Sequence, residues 1–264
     1  MKIIDMHSHI FPASIAEKVI GALETFYGFR WAGTGELDDL LRSLRQAHIT
    51  RSVIFSSATK ASQVESINSF VASLQSQYPE LLLGFGTMHP DYPDCRAELA
   101  RMRKLGLHGL KFHPDFQQFC VDDPRMLKIY EAAGEFSFPM LFHIGDYRTP
   151  YSKPERLAHV HELYPHLTLI AAHMGGYSEW DNAWKYLIGK DIWMDISSVM
   201  PLLSVEEVRK MVLAHGVDRV LFASDYPATR HDQAVQNVLK LGLPPEDNEK
   251  IFYRNAEKLL GITC

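Results

Sequence analysis

Cysteine is scarce in this chain and is never closely spaced. Cys95, Cys120 and Cys264 lie far apart and form no C-x-x-C pair. An odd count without a short-range pair argues against a disulfide framework and fits reduced thiols in a cytosol. No apolar run approaches the roughly 20 residues that a membrane helix needs. The opening, Met1-Lys-Ile-Ile-Asp-Met-His7-Ser-His9, carries charge and histidine where a secretory leader would be apolar. A soluble, cytoplasmic protein is the expectation. Charge of one sign is not concentrated either. The 27 Lys and Arg against 32 Asp and Glu leave a net charge of −5, with no long run of either sign. Nucleic acids and anionic membranes reward clustered Lys and Arg, so neither is expected as a partner. No Pro/Gly/Ser-rich linker interrupts the 264 residues. A chain of this length suits one large core, so residues 1–264 are read as one domain.

What is present is an alternation. Apolar runs cover residues 2–9, 50–57, 81–89, 109–113, 139–145, 167–173, 192–198 and 219–225. Continuous runs of this length suit strands buried on both faces, as in parallel sheets. Between and after them lie helical patterns at 37–47, 65–78, 94–105, 124–136, 153–164, 205–215, 231–241 and 247–260. The first of these places Leu37, Leu40, Leu41, Leu44 and Ala47 on one helix face. Asp94 precedes one helical run, and Ser204 with Glu207 has the spacing of a capping box. A doubly wound open sheet usually has fewer strands and a glycine-rich first turn. Here that turn is Ser8-His9-Ile10-Phe11-Pro12. The expected fold is α/β, a single (β/α)8 TIM barrel.

Barrels of this kind place their active sites at the C-terminal strand ends. Six of the 13 histidines fall there: His7, His9, His89, His113, His143 and His173. Residues two apart on a strand share a face, so His7 and His9 enter the barrel mouth side by side. Taken alone, H-x-H is common. Closure of strand 8 onto strand 1 would bring Asp225 close to that pair, and His143 ends strand 5. Three imidazoles and one carboxylate suit zinc or another first-row divalent ion, with manganese the alternative.

The motifs Asp5-Met-His7-Ser-His9-Ile-Phe-Pro12, Gly109-Leu-Lys111-Phe-His113-Pro114, Phe142-His143, Ala172-His173-Met-Gly-Gly176 and Phe222-Ala-Ser-Asp225-Tyr-Pro227 together resemble the amidohydrolase superfamily. The nearest branch is the amidohydrolase-related (amidohydrolase 2) group, which includes aminocarboxymuconate-semialdehyde decarboxylase. The closing stretch from Ile251 to Gly261 is similar to that group's last helix. The resemblance implies that His7, His9, His143 and Asp225 are metal ligands. It implies that His173 binds a second metal or activates water. Lys111 sits where some members carry a carbamylated lysine between two metals, and His113 could serve the same second site or the substrate. Many members of this branch hold one metal, so one ion is expected rather than two.

A bound divalent ion lowers the pKa of its water from 15.7 to about 7 and polarises a carbonyl. Asp225 would accept the proton of the attacking water and return it to the leaving group. The expected activity is hydrolysis of a small carboxylic ester, lactone or amide. The alternatives are a metal-dependent decarboxylase and, from another class, a non-catalytic metal-binding barrel. Residues 10–35 form a long connection with Phe26, Tyr27, Phe29, Arg30 and Trp31, suited either to a flap over the site or to a surface-packed helix. Arg148 and Arg230, just past strands 5 and 8, could clamp a substrate carboxylate or lie solvated. The expected partner is a small-molecule substrate, and a homodimer is the assembly to test.

Overall fold

The computed structural model describes residues 2–200 and 202–263. Its strands are β1 (Ile4–His9), β2 (Arg51–Phe55), β3 (Leu82–Gly86), β4 (Gly109–Phe112), β5 (Met140–Phe142), β6 (Leu169–Ala171), β7 (Trp193–Asp195) and β8 (Val220–Leu221). Each lies inside the apolar run that predicted it. They pair in parallel in the order β1 to β8. The ring closes where Met6 N donates to Phe222 O at 3.0 Å and Asp225 N to His7 O at 2.9 Å. The TIM barrel expected from the alternation is therefore the fold.

Helices follow the strands. They are α1 (Ala13–Tyr27), α2 (Leu37–Gln46), α3 (Val64–Gln77), α4 (Cys95–Lys104), the single turn α5 (Pro114–Gln117), α6 (Leu127–Glu135), α7 (Pro154–Leu163), α8 (Trp180–Tyr186), α9 (Val205–His215) and α10 (His231–Leu239). The predicted starts hold. Asp94 accepts a bond from Ala97 N at 3.0 Å, and Ser204 and Glu207 form a reciprocal capping box. The stretch 247–260, expected as one helix, is instead α11 (Pro245–Glu249), a π-helical segment (Lys250–Arg254) and α12 (Asn255–Leu260). The wider turn buries the adjacent Ile251 and Phe252, and lets Asn255 donate to Val217 O and Val220 O at 2.7 and 2.8 Å. Cys95 and Cys120 are free thiols, and Cys264 lies outside the described residues.

Two apolar layers result. The larger lies between the barrel and its helices. The smaller fills the barrel with Ile4, Met6, Val53, Phe55, Leu83 and Phe85 among others, and α12 packs beneath it. In β1 the register slips: Asp5 to Ser8 opposes only Ser52 to Ile54. That extra residue is a bulge. It allows Ile4 and Met6 to pack inside while His7 and His9, of opposite parity, also turn into the barrel. Residues 10–35 hold the 15-residue helix α1, closed by Gly28 at φ 78°. The strand–helix alternation did not count this helix, which the sequence offered only as one of two readings of residues 10–35; its apolar stripe faces a cavity rather than the core.

Candidate active site

β1 and β8 bring three side chains together at the barrel mouth. His7 Nε2 lies 3.2 Å from His9 Nε2 and 3.1 Å from Asp225 Oδ1, and His9 Nε2 lies 3.5 Å from the same oxygen. On its other nitrogen, His7 Nδ1 donates to Asp195 Oδ2 at 2.8 Å. In the neutral ring that bond leaves a lone pair on His7 Nε2, which faces a second imidazole, a carboxylate oxygen and Lys111 Nζ at 3.1 Å. Such facing acceptors repel unless a positive charge lies between them.

The electrostatics agree. Burial and Lys111 oppose a charge on His7, yet Asp195 and Asp225 outweigh them and lift it above its usual range. Burial opposes ionisation of Asp225, but His7 and His9 hold its carboxyl well below the usual range. Burial pushes His9 down to about 4 and drives His113 and His143 well below normal. The position beside Asp225 therefore favours positive charge, carried by His7 as an imidazolium or by a bound cation, and its nitrogen and oxygen donors fit a first-row divalent ion.

The other predicted residues stand around this trio. Lys111 Nζ lies 3.1 Å from His7 Nε2, fully buried, and burial lowers it to about 8. His143 is not within the tight trio. Its Nδ1 is 3.0 Å from His173 Nε2, and its Nε2 faces Asp115 Oδ2 at 3.8 Å. His173 Nδ1 meets Ser197 O at 3.1 Å. His113 stacks on His143 with ring centroids 4.1 Å apart and bonds Tyr27 Oη through Nε2 at 3.0 Å. His89 is held locally, accepting from Asp91 N at 3.2 Å.

Strand ends here carry strained backbone. His173, Met174, Ser198 and Asp225 all have φ between 51° and 61° without being glycine. Such conformations cluster where surroundings force a side chain into place. Above them opens a cavity of about 460 Å3 into which His9, His113, His143, His173 and Asp225 project. Helix α1 forms its far wall, so the connection 10–35 does cover the site. Arg148 secures that cover: it binds Asp146 through two bonds of 2.8 and 2.6 Å and Phe26 O at 2.6 Å. Arg230 turns to Asp39 at 3.5 Å and Gln46 at 3.2 Å. Neither arginine lines the cavity, so neither is placed to clamp a substrate there.

A sequence model of the amidohydrolase family matches residues 4–262. This chain belongs to the amidohydrolase family. Solved structures share the barrel of this amidohydrolase at low identity. An uncharacterized TIM-barrel protein from Bordetella bronchiseptica is 19% identical over 99% of both chains, with a TM-score of 0.78. A dihydroxybenzoic acid decarboxylase from Polaromonas sp. JS666, with bound manganese and 2-nitroresorcinol, is 18% identical over 98% of this chain and 97% of its own, at 0.74. A probable 2-pyrone-4,6-dicarboxylic acid hydrolase from Acinetobacter baumannii, with citric acid bound, is 16% identical over 99% and 100%, at 0.71. Both reaction types thus occur among proteins of this shape.

Sequence reasoning about this amidohydrolase passed over the groups that hold the site together. Asp5 is fully buried and accepts from Ser224 N and Oγ at 2.8 Å each, Ser8 Oγ at 2.6 Å and His7 N at 3.2 Å; His231 Nε2 donates to it at 3.0 Å. It ties β1 to the end of β8. Asp195 does the same between β7 and His7. The available signal was a carboxylate inside or at the end of an apolar strand, which is rare unless the charge is paired.

Proposed function

We propose that this amidohydrolase is a metal-dependent hydrolase acting on a small carboxylic ester, lactone or amide. His7, His9 and Asp225 would hold one divalent ion, zinc or manganese, with His143 as the fourth member of the set. When bound, the ion supplies an acidified water and polarises the substrate carbonyl.

The rest falls to this chain's residues. Asp225 presents Oδ1 to the two histidines, while Ser198 Oγ donates to Oδ2 at 2.5 Å and fixes the carboxylate plane. Asp225 would take the proton from the attacking water and deliver it to the leaving group. His173, anchored at Ser197, would orient that water. Lys111 would stand beside the ion-facing nitrogen of His7, with Nζ 3.1 Å from Nε2. His113 would lie against the substrate, its ring fixed by Tyr27. The observation that carries the reading is the 3.1 Å approach of Asp225 Oδ1 to His7 Nε2, beside a cavity that Asp225 and His9 line.

Elemental analysis of protein purified without added metal tests the first step, beside an Asp225→Asn variant. About one equivalent of zinc or manganese, reduced in the variant, supports the metal site. Turnover in 18O-labelled water tests the reaction. Label in the product carboxylate supports hydrolysis. Release of carbon dioxide without label incorporation would overturn it in favour of the second reading, a metal-dependent decarboxylase, to which the manganese-bound Polaromonas neighbour lends weight. Full metal loading with no turnover across an ester, lactone, amide and aryl-carboxylate panel would point to a non-catalytic barrel.

A further inference from the structure

The cavity lining is mostly apolar, with its imidazoles and carboxylate gathered at the strand ends. His9, His143, His173 and Asp225 stand at the strand ends, while the opposite wall comes from α1. Ile15, Val19, Ala22 and Leu23 recur along that helix at the spacing of one face, and all four line the cavity. Phe29 and Trp31 continue the same wall. Ile15 and Phe29 are 45% and 44% exposed, so large apolar groups stand open to solvent where an occupant would cover them.

Cationic groups are nearly absent from this space. Among the described residues lining it, Lys18 is the one lysine or arginine, and it is exposed. Arg148 is committed to Asp146 and Phe26, and Lys111 is fully buried against His7 Nε2 and does not line the cavity. A carboxylate laid against the stripe of Ile15, Val19, Ala22 and Leu23 would lose its water and meet no cation among those four side chains; Lys18 stands exposed to solvent. A volume of about 460 Å3 lies in the lower half of the range for small-molecule sites, about 300–1,000 Å3.

We infer that the substrate carries its reactive carbonyl at one end of an apolar body, a single ring or a short alkyl chain, and bears no second acidic group on that body. This rests on the metal-dependent reading above and names the substrate class for it.

Two matched probe pairs test the inference on the metal-loaded protein by calorimetric titration: benzohydroxamic acid against 4-carboxybenzohydroxamic acid, and benzamide against 4-carboxybenzamide. The hydroxamate addresses the metal, and the para substituent addresses the α1 wall. In each pair the carboxylated member should bind roughly 10- to 100-fold more weakly, the cost of burying a charge without a partner. Leu23→Arg, checked for an unchanged melting profile, should shrink or reverse that gap. Equal or tighter binding of the carboxylated members would overturn the inference. A hydroxamate no better than its benzamide would instead count against the metal reading, and the benzamide pair would still decide the character of the wall.

Discussion

His7 Nδ1 and Asp195 Oδ2 lie 2.8 Å apart, with 1% and 0% of the two side chains exposed. The other carboxylate oxygen of Asp195 accepts from His173 N at 3.0 Å and from Ser197 N and Oγ at 3.0 and 2.5 Å. One buried carboxylate thus sets the tautomer of His7 and the path of the chain into His173.

Asp195→Asn keeps the shape of that side chain and removes its charge. Outer partners of metal-bound histidines contribute about 10- to 100-fold in affinity. Competition with a chromophoric chelator should show zinc binding weakened by that order, with the far-ultraviolet dichroism unchanged. Undiminished affinity would remove Asp195 from this role.

Stripping the ion should lower the melting temperature. A ligand at 100 times its Kd stabilises the folded state by about 2.7 kcal/mol. For a chain of this size that is a shift of roughly 5–10 °C. Scanning calorimetry before and after chelation, followed by zinc or manganese add-back, measures it. A profile indifferent to all three additions counts against the site.

Far from the cavity, His215 is buried and neutral, with Nε2 donating to Ile192 O at 2.8 Å and Nδ1 accepting from Gly189 N at 3.2 Å. Burial lowers it to about 4. Below pH about 6.5 the unfolded chain takes up a proton that the folded chain resists until about 4. Its contribution is therefore complete above pH 6.5 and is lost progressively as pH falls towards 4. His215→Gln should be less stable than the parent at pH 7, and the gap should narrow by pH 5 in urea unfolding. A gap independent of pH would show that His215 does not set the slope.

Gly145 has φ 92°, and a Cβ there would collide with the backbone of Gly176. Gly145→Ala should cost about 2 kcal/mol or more, from left-handed strain and displaced backbone together. Gly21, inside α1 with nothing within 4 Å of a built Cβ, is the contrast. Gly21→Ala should stabilise by up to about 1 kcal/mol. Denaturant midpoints of the two variants should move in opposite directions.

Much of this architecture is legible without coordinates. Strands buried on both faces read as unbroken apolar runs, so all eight were placed. The strand-end rule picked out His7, His9, His89, His113, His143 and His173; of these, His89 is held locally by Asp91 N and does not line the cavity. Closure of the ring was enough to expect Asp225 beside the first pair. The resemblance to the amidohydrolase family pointed the same way.

Tertiary structure decided what long-range contacts impose. The bulge in β1 depends on its register against β2, which no local pattern encodes. Whether His143 stands with His9 or with His173 and Asp115 is a matter of ring orientation within a packed mouth. Asp5 and Asp195 matter because partners more than 180 residues away reach them, and their own neighbours in the chain are ordinary strand residues. Helix α1 shows the same division: its 3.6-residue stripe is present in the chain, but only the folded barrel decides that the stripe faces a cavity instead of the core.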